Sequence, residues 1–268
     1  MPELPEVESV RRTLATQLLG RRITAVRVLG PHAVSPSDFG RRAAGAAFVS
    51  SSRHGKYLAL HLDSGDILMC HLRMTGRLLY LPPRGRMNWP KQHTHVIMRL
   101  DDGGRLLFHD SRKFGRLWLT QQADFPSGVD AIEVRPEDLH WPGRKAPIKS
   151  LLMDQRLIAG IGNIYADESL FRAGIDPRMP AGELTDQDRA RLAEAIRTVL
   201  ADAVVNGGTT FMDYRDGLGR EGRFASLLKV YGRAGEPCRK CGAVLRTARL
   251  GGRSTVWCPR CQRYNQAQ

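Results

Sequence analysis

Long apolar runs, an export signal, internal repeats and acidic residues are absent or scarce in this 268-residue chain, and each shortage narrows what it does. No stretch approaches the roughly 18 consecutive apolar residues of a membrane-crossing helix. Nor do the basic residues gather on one long amphipathic helix, which argues against a membrane surface as partner. The start carries Glu3, Glu6 and Glu8 instead of a basic segment followed by an apolar one, so no secretory signal is recognised and a reducing, cytosolic setting is expected. The chain has only five cysteines, and in that setting cysteines are more often metal ligands than disulfides. Acids number 27 against 41 Lys and Arg, a net charge of +14. That imbalance points to a polyanionic partner, and with membrane disfavoured the partner is nucleic acid. The length suffices for one large domain or two ordinary ones, so neither metal nor disulfide is needed merely to make a core.

Val7, Val10, Leu14 and Leu18 recur at helical spacing and Gly20 suits the left-handed position after a last turn, so a helix is expected from Pro5 to Leu19. Short alternating or apolar runs follow at 23–28, 46–50, 57–62, 67–72, 78–81, 96–100, 105–109 and 117–120, separated by turn residues such as Asp63-Ser64-Gly65. They predict an antiparallel sheet system, a sandwich, in a first domain over residues 1–123. Residues 124–146, rich in Pro and charge, read as a linker. The period then becomes helical over 147–229: Ile148–Leu157, a helix capped by Asn163 and running to Ala173, and a longer helix opened by a Thr185/Asp188 capping box and ending at Asn206-Gly207-Gly208. Met212 to Arg223, rich in glycine and charge, reads as a loop too polar to pack. The fold class expected is α+β, with a zinc finger over 230–268.

Cys238-Arg-Lys-Cys241 and Cys258-Pro-Arg-Cys261, with sixteen residues between them, have the spacing of a four-cysteine zinc ribbon. One structural Zn2+ is expected, closed to substrate, on a hairpin whose Arg246, Arg249, Arg253 and Arg260 suit it to hold phosphates. Cys70 shares a strand face with Leu68 and Leu72 and reads as core. Pro2 beside Glu3 offers a second chemistry. Once Met1 is removed, the proline nitrogen is a free secondary amine whose class titrates near pH 7.7–8.0, so part of it is unprotonated at neutral pH. Attack on an aldehydic carbon would give an iminium directly. Taken alone, the same residues also suit an ordinary first helical turn. Gly160-Ile161-Gly162-Asn163 exposes N–H groups suited to a phosphate, although an ordinary turn accounts for it as well. Lys56 lies on the parity of Leu58, Leu60 and Leu62, an apolar face where a lysine is unusual.

Taken in order, PELPEVE at 2–8, HLRMTG at 71–76, DSRKFG at 110–115, DQRLIAGIGNIYADE at 154–168, VYGRAGEPC at 230–238 and the terminal ribbon resemble the bacterial formamidopyrimidine-DNA glycosylases over nearly the whole chain. The resemblance implies a bifunctional base-excision enzyme that removes oxidised purines, 8-oxoguanine and formamidopyrimidines, and nicks the abasic strand by β,δ-elimination. It implies a β-sandwich bearing the first helix, a helix-two-turn-helix domain and a zinc finger. By the same resemblance Pro2 is the nucleophile, Glu3 protonates the sugar ring oxygen and shuttles protons, Glu6 supports the terminal site and Lys56 lies near the lesion's phosphate. Met74, Arg112 and Phe114 fill the space left by the extruded base, which suits an apolar wedge among cations. Asn163 and Arg253 grip phosphates, and 212–224 forms a lid over the purine. Thr75 departs from relatives that carry an acid there.

The implied partner is double-stranded DNA with oxidised bases or abasic sites, met by a monomer in the cytosol without membrane contact. Two rivals remain. An enzyme of the endonuclease VIII type shares the terminal proline and finger but prefers oxidised pyrimidines; the PELPEVE run favours the purine branch. A non-catalytic DNA-binding protein would leave Pro2 and Glu3 idle.

Overall fold

The computed structural model describes residues 1–85 and 91–264, so the last four residues of the expected finger lie outside it. Its contacts divide the chain into two compact units, residues 1–125 with 206–225 and residues 126–205 with 226–268.

The first unit opens with α1 (Leu4–Leu18), started by a capping box in which Glu3 and Glu6 each take the other's backbone N–H. Nine strands follow: β1 (Ile23–Val28), β2 (Val34–Ser35), β3 (Phe48–His54), β4 (Tyr57–Leu62), β5 (Ile67–His71), β6 (Arg77–Leu81), β7 (Thr94–Leu100), β8 (Arg105–His109) and β9 (Arg116–Thr120), with the short helix α2 (Phe39–Ala43) after β2. They form a four-stranded sheet in the order β1-β7-β8-β6 and a five-stranded sheet in the order β2-β9-β5-β4-β3. All pairings are antiparallel except that of β2 with β9. One face of each sheet turns inward: Leu58, Leu60, Leu62, Leu68 and Cys70 meet Leu78, Tyr80, Val96, Met98, Leu106 and Phe108 in a single apolar core, and α1 adds Val7, Val10, Leu14 and Leu18. Each such side chain contributes about 1.5–3 kcal/mol by leaving water. Cys70 is fully buried there and desolvation raises its thiol, as befits a core residue.

One expectation fails in this unit. Met212 to Arg223 reads as too polar to pack, yet 206–225 clusters with the sandwich. Gly217 N–H donates to Thr13 Oγ1 at 2.9 Å, Gly217 O accepts from Tyr80 N–H at 2.7 Å, and Tyr214 is buried in the apolar core. The polar groups that argue for a loop are satisfied by residues far away in sequence, which no local period reveals.

The second unit contains β10 (Val129–Asp130), α3 (Ile148–Leu152), β11 (Ile158–Ala159), α4 (Asn163–Ala173), α5 (Asp186–Val205), β12 (Arg246–Leu250) and β13 (Arg253–Trp257). The expected linker is packed here: β10 pairs in parallel with β11, and Ala131, Val134 and Leu139 are fully buried. The helix expected over Ile148–Leu157 stops at Leu152, because Asp154 Oδ1 takes the N–H of Arg156 at 3.0 Å and turns the chain. The Thr185/Asp188 capping box forms, with Asp188 N–H on Thr185 Oγ1 and Thr185 N–H on Asp188 Oδ2, both at 3.1 Å. Leu192, Ile196, Val199, Leu200 and Ala203 make the buried stripe of α5.

Candidate active site and nucleic-acid interface

In the first unit the structure brings Pro2, Glu3 and Glu6 together at the start of α1, all three buried. Glu6 is the hub. Its Oε2 accepts Glu3 N–H at 2.8 Å and its Oε1 accepts Thr209 N–H at 2.7 Å, so one carboxylate ties the terminus to the 206–225 segment. Tyr214 Oη donates towards Glu6 O at 3.2 Å and Gly207 O at 3.1 Å. Gly208, at φ +82°, passes so close that an added Cβ would lie 2.8 Å from Glu6 Oε1. The backbone beside Pro2 is thus held from several sides, while Glu3 keeps its carboxylate within one residue of the proline nitrogen.

Lys56 is buried just ahead of β4 and is one of the charges near His71. Burial first, then Arg73 and Lys56, push the His71 ring down to about 3. It is therefore neutral, and its Nδ1 accepts Arg73 N–H at 3.0 Å. That bond shapes the turn carrying Met74.

Met74 and Phe114 are 38 % and 51 % exposed, on turns rich in arginine and lysine, and the Arg112 guanidinium lies 5.0 Å from the Phe114 ring centroid. Arg73 and Lys113, their chain neighbours, adopt left-handed φ values of 55° and 61°. Such backbone costs about 1–3 kcal/mol per residue and collects at functional sites. Exposed apolar side chains flanked by cations suit a partner with both stacking faces and negative charge, which is nucleic acid.

In the second unit Asn163 is the first residue of α4, while the cap is Gly162, correcting the expected role of Asn163. Among the described residues the Asn163 side-chain oxygen has no hydrogen-bond partner, so the amide is not spent on the helix. Gln155, a letter of the 154–168 motif with no role assigned to it there, shapes the turn before it: Oε1 accepts Gly160 N–H at 3.0 Å and Nε2 donates to Ile161 O at 2.8 Å. Arg253 is exposed at the start of β13, across the Gly251-Gly252 turn from β12.

The four cysteines converge, their sulfur atoms all within 4.8 Å of one another. Cys238 and Cys261 lie 3.9 Å apart and Cys241 and Cys258 3.4 Å apart, close to the roughly 3.8 Å expected between thiolates of a tetrahedral zinc with bonds of about 2.3 Å. Backbone N–H groups of Lys240 and Cys261 point at Cys238 and Cys258 sulfurs at 3.4 and 3.3 Å. The donor set fits one zinc ion with no coordination position to spare.

Two buried acids that sequence reasoning missed support this ribbon. Asp167 pairs with Lys149 at 2.7 Å, both side chains inaccessible, and takes Val256 N–H at 3.0 Å while Lys149 Nζ donates to Ser254 O at 2.8 Å. Glu168 accepts the N–H groups of Lys229, Val230 and Tyr231 at 2.9, 2.9 and 2.8 Å. Their sequence signal is two adjacent acids in a helix otherwise buried almost all round.

Comparison with known proteins agrees along the chain. Three family profiles match: the formamidopyrimidine-DNA glycosylase N-terminal domain over residues 1–117, the formamidopyrimidine-DNA glycosylase H2TH domain over 137–214, and the zinc finger found in FPG and IleRS over 235–263. Formamidopyrimidine-DNA glycosylase of Pelotomaculum thermopropionicum is 46 % identical, covering 98 % of this chain and 99 % of its own. That of Desulfitobacterium hafniense is 44 % identical, covering 98 % and 100 %. Among solved structures, MutM (FPG) of Thermus thermophilus superposes with a TM-score of 0.85 at 38 % identity, covering 97 % of this chain and 98 % of its own. Lactococcus lactis Fpg in complex with DNA containing an abasic site reaches 0.85 at 31 % identity, covering 98 % and 100 %.

Proposed function

This chain belongs to the formamidopyrimidine-DNA glycosylase family, and we propose that its chemistry is carried by the amino-terminal proline and the carboxylate beside it. It is a DNA glycosylase that removes oxidised purines in base excision repair, and its four cysteines hold one structural zinc ion. The rival non-catalytic reading is set aside by that membership, and the pyrimidine-preferring rival by the relatives' purine-lesion names.

In the reading proposed here the Pro2 nitrogen, freed of Met1, attacks the anomeric carbon of the extruded nucleotide as the bond to the base breaks. Glu3 protonates the ring oxygen, the sugar opens, and an iminium joins carbon and Pro2. The iminium acidifies the adjacent sugar carbon; loss of its proton expels the 3′ phosphate, and a second elimination expels the 5′ phosphate. Glu6 holds the backbone on which both groups ride, and Lys56 takes the lesion's phosphate. Met74, Arg112 and Phe114 fill the vacated stack, Asn163 and Arg253 grip phosphates, and residues 212–224, with Phe211 and Met212 exposed at their start, form the lid. The proposed boundaries are a catalytic domain over 1–123, a helix-two-turn-helix domain over 147–229 and a finger over 230–268, with 206–225 packing as part of the first unit. We place the enzyme in the cytosol as a monomer; no helix among the described residues is long and apolar enough to cross a membrane.

The observation that carries this reading is the buried Glu3–Glu6 box at the proline, fastened at Thr209. Borohydride should trap a covalent adduct on an 8-oxoguanine duplex, with mass spectrometry placing it on Pro2. Pro2→Gly or retained Met1 should abolish it. Undiminished adduct in those proteins moves the nucleophile elsewhere, with Lys56 the next candidate.

A further inference from the structure

We propose that Asp110 and Thr75 form a clamp that locks the two exposed turns into one rigid wedge, making both positioning residues for base extrusion. The proposal rests on the reading that Met74, Arg112 and Phe114 enter the duplex.

The topology brings the turns side by side. Residues 72–76 lead from β5 of the five-stranded sheet to β6 of the four-stranded one, and residues 110–115 lead back from β8 to β9. Pairing of Arg77 with His109 and of His71 with Arg116 sets both crossings at the same end of the sandwich. The backbone bond inside the first turn, Gly76 N–H on Leu72 O at 3.0 Å, closes that turn without tying it to the second.

Asp110 supplies the connection. It is fully buried, and its Oδ1 accepts the Thr75 hydroxyl at 2.5 Å and Arg112 N–H at 3.1 Å, while Oδ2 accepts Gly115 N–H at 2.7 Å. Arg112 N–H also reaches Thr75 Oγ1 at 3.3 Å. The residue is anchored in turn at the start of β7, its N–H on O of His93 just ahead of the strand at 2.8 Å and its carbonyl 2.7 Å from His95 Nε2. One carboxylate therefore spans both ends of the turn bearing Arg112 and Phe114 and crosses to the turn bearing Met74. Closely packed glycines leave little slack: a Cβ at Gly115 would meet Phe108 Cζ at 2.8 Å, and one at Gly76 would meet Leu72 O at 2.4 Å. The left-handed backbone at Arg73 and Lys113 persists only where surroundings over-determine it, and the clamp provides that.

Three donors converge on two carboxylate oxygens, so the site needs an acceptor at every position. A carboxamide would turn an NH2 group towards Gly115 N–H or Arg112 N–H, donor against donor. Thr75 is buried with its hydroxyl spent on Asp110, so this position serves wedge geometry and presents no acid to the flipped base. A wedge of two turns must enter the stack as one body, and a displacement near 1 Å costs about a hundredfold in rate.

The test uses the zinc-loaded, full-length enzyme with Met1 removed, and Thr75→Val, Thr75→Ser and Asp110→Asn. A 2-aminopurine beside 8-oxoguanine in a duplex reports unstacking on binding; adduct formation with an abasic site in a single strand reports the terminal amine without any stack to open. Thr75→Val and Asp110→Asn should lose most of the fluorescence rise and excise 8-oxoguanine about tenfold to a hundredfold more slowly. Both should form the single-strand adduct at the parent rate, and Thr75→Ser should restore the duplex values. Parent fluorescence and excision in Thr75→Val and Asp110→Asn, or Thr75→Ser behaving as Thr75→Val, overturns the clamp. If Met74→Ala and Phe114→Ala leave the fluorescence rise intact, the wedge reading itself fails; if the parent enzyme makes no single-strand adduct, the terminal-amine reading fails instead.

Discussion

Glu6 of the amino-terminal site is fastened by an N–H from Thr209, 203 positions further along the chain, whereas the ribbon closes between Cys238 and Cys261, 23 positions apart. The first arrangement needs the sandwich, α1 and the 206–225 segment in place together; the second needs a short hairpin, the buried α4 acids that brace it and an ion. Closing a long loop costs only a little more than closing a short one, growing as the logarithm of its length. The difference therefore lies in what repays the ordering: buried apolar surface and charge-assisted hydrogen bonds in one case, metal coordination in the other. A site built on distant contacts is exact but shares the fate of its whole unit, while the ribbon's order depends on metal supply as well.

Removing the metal should separate the two regions most sharply. Chelation, or Cys258→Ser, should unfold residues 235–263 and weaken duplex binding by roughly a hundredfold or more, because zinc affinity and local folding are one free energy. Amide hydrogen exchange should show the sandwich still protected, and full duplex affinity after complete chelation would contradict the phosphate role given to the finger. A smaller effect is expected from Gly208→Ala. Its left-handed backbone and the 2.8 Å approach to Glu6 predict about 1–3 kcal/mol lower stability of the first unit by urea titration, with slower adduct formation and an unchanged ribbon. An unchanged urea midpoint would show that the tie between Thr209 and Glu6 tolerates the extra methyl.

The smallest effect is one of pH. Burial alone would raise the Glu8 carboxyl, but Arg11, Arg12 and Arg53 outweigh it and hold the group at about 2, below its ordinary 4.5. A carboxyl with a depressed folded pKa contributes stability that is fully present above about pH 4.5 and is lost as pH falls towards 2, here about 1–2 kcal/mol after allowance for solvent screening. Glu8→Gln should flatten that acid limb for the sandwich and leave the ribbon untouched. An identical acid limb in both proteins would assign the effect to other carboxylates.

Periodicity makes α1, β1, the strands from β4 onwards in the sandwich, α4 and α5 legible, and cysteine spacing does so for the ribbon, because each depends on residues near one another in the chain. The Thr185/Asp188 cap and the Cys238/Cys241 and Cys258/Cys261 pairs belong to the same class. Residues whose roles need distant partners are not legible in this way. Tyr214 has the setting of a polar loop in the sequence, but its ring enters the sandwich core; Val134 has that of a linker, but it is buried. Asp110 shows in the sequence only as one letter of a motif, and its role appears when two sheet crossings meet around it.

By itself the sequence determined the basic charge, the zinc ligands, the order of the longer helices and strands, and the terminal Pro2–Glu3 pair, all set by composition or by spacing over a few residues. Tertiary structure alone decided that residues 206–225 return to the first unit to hold Glu6, that 126–146 pack as structure, and that one buried carboxylate joins the two exposed turns. Hydrogen bonds and burial act between groups close in space, and only the folded chain defines that closeness for residues tens or hundreds of positions apart.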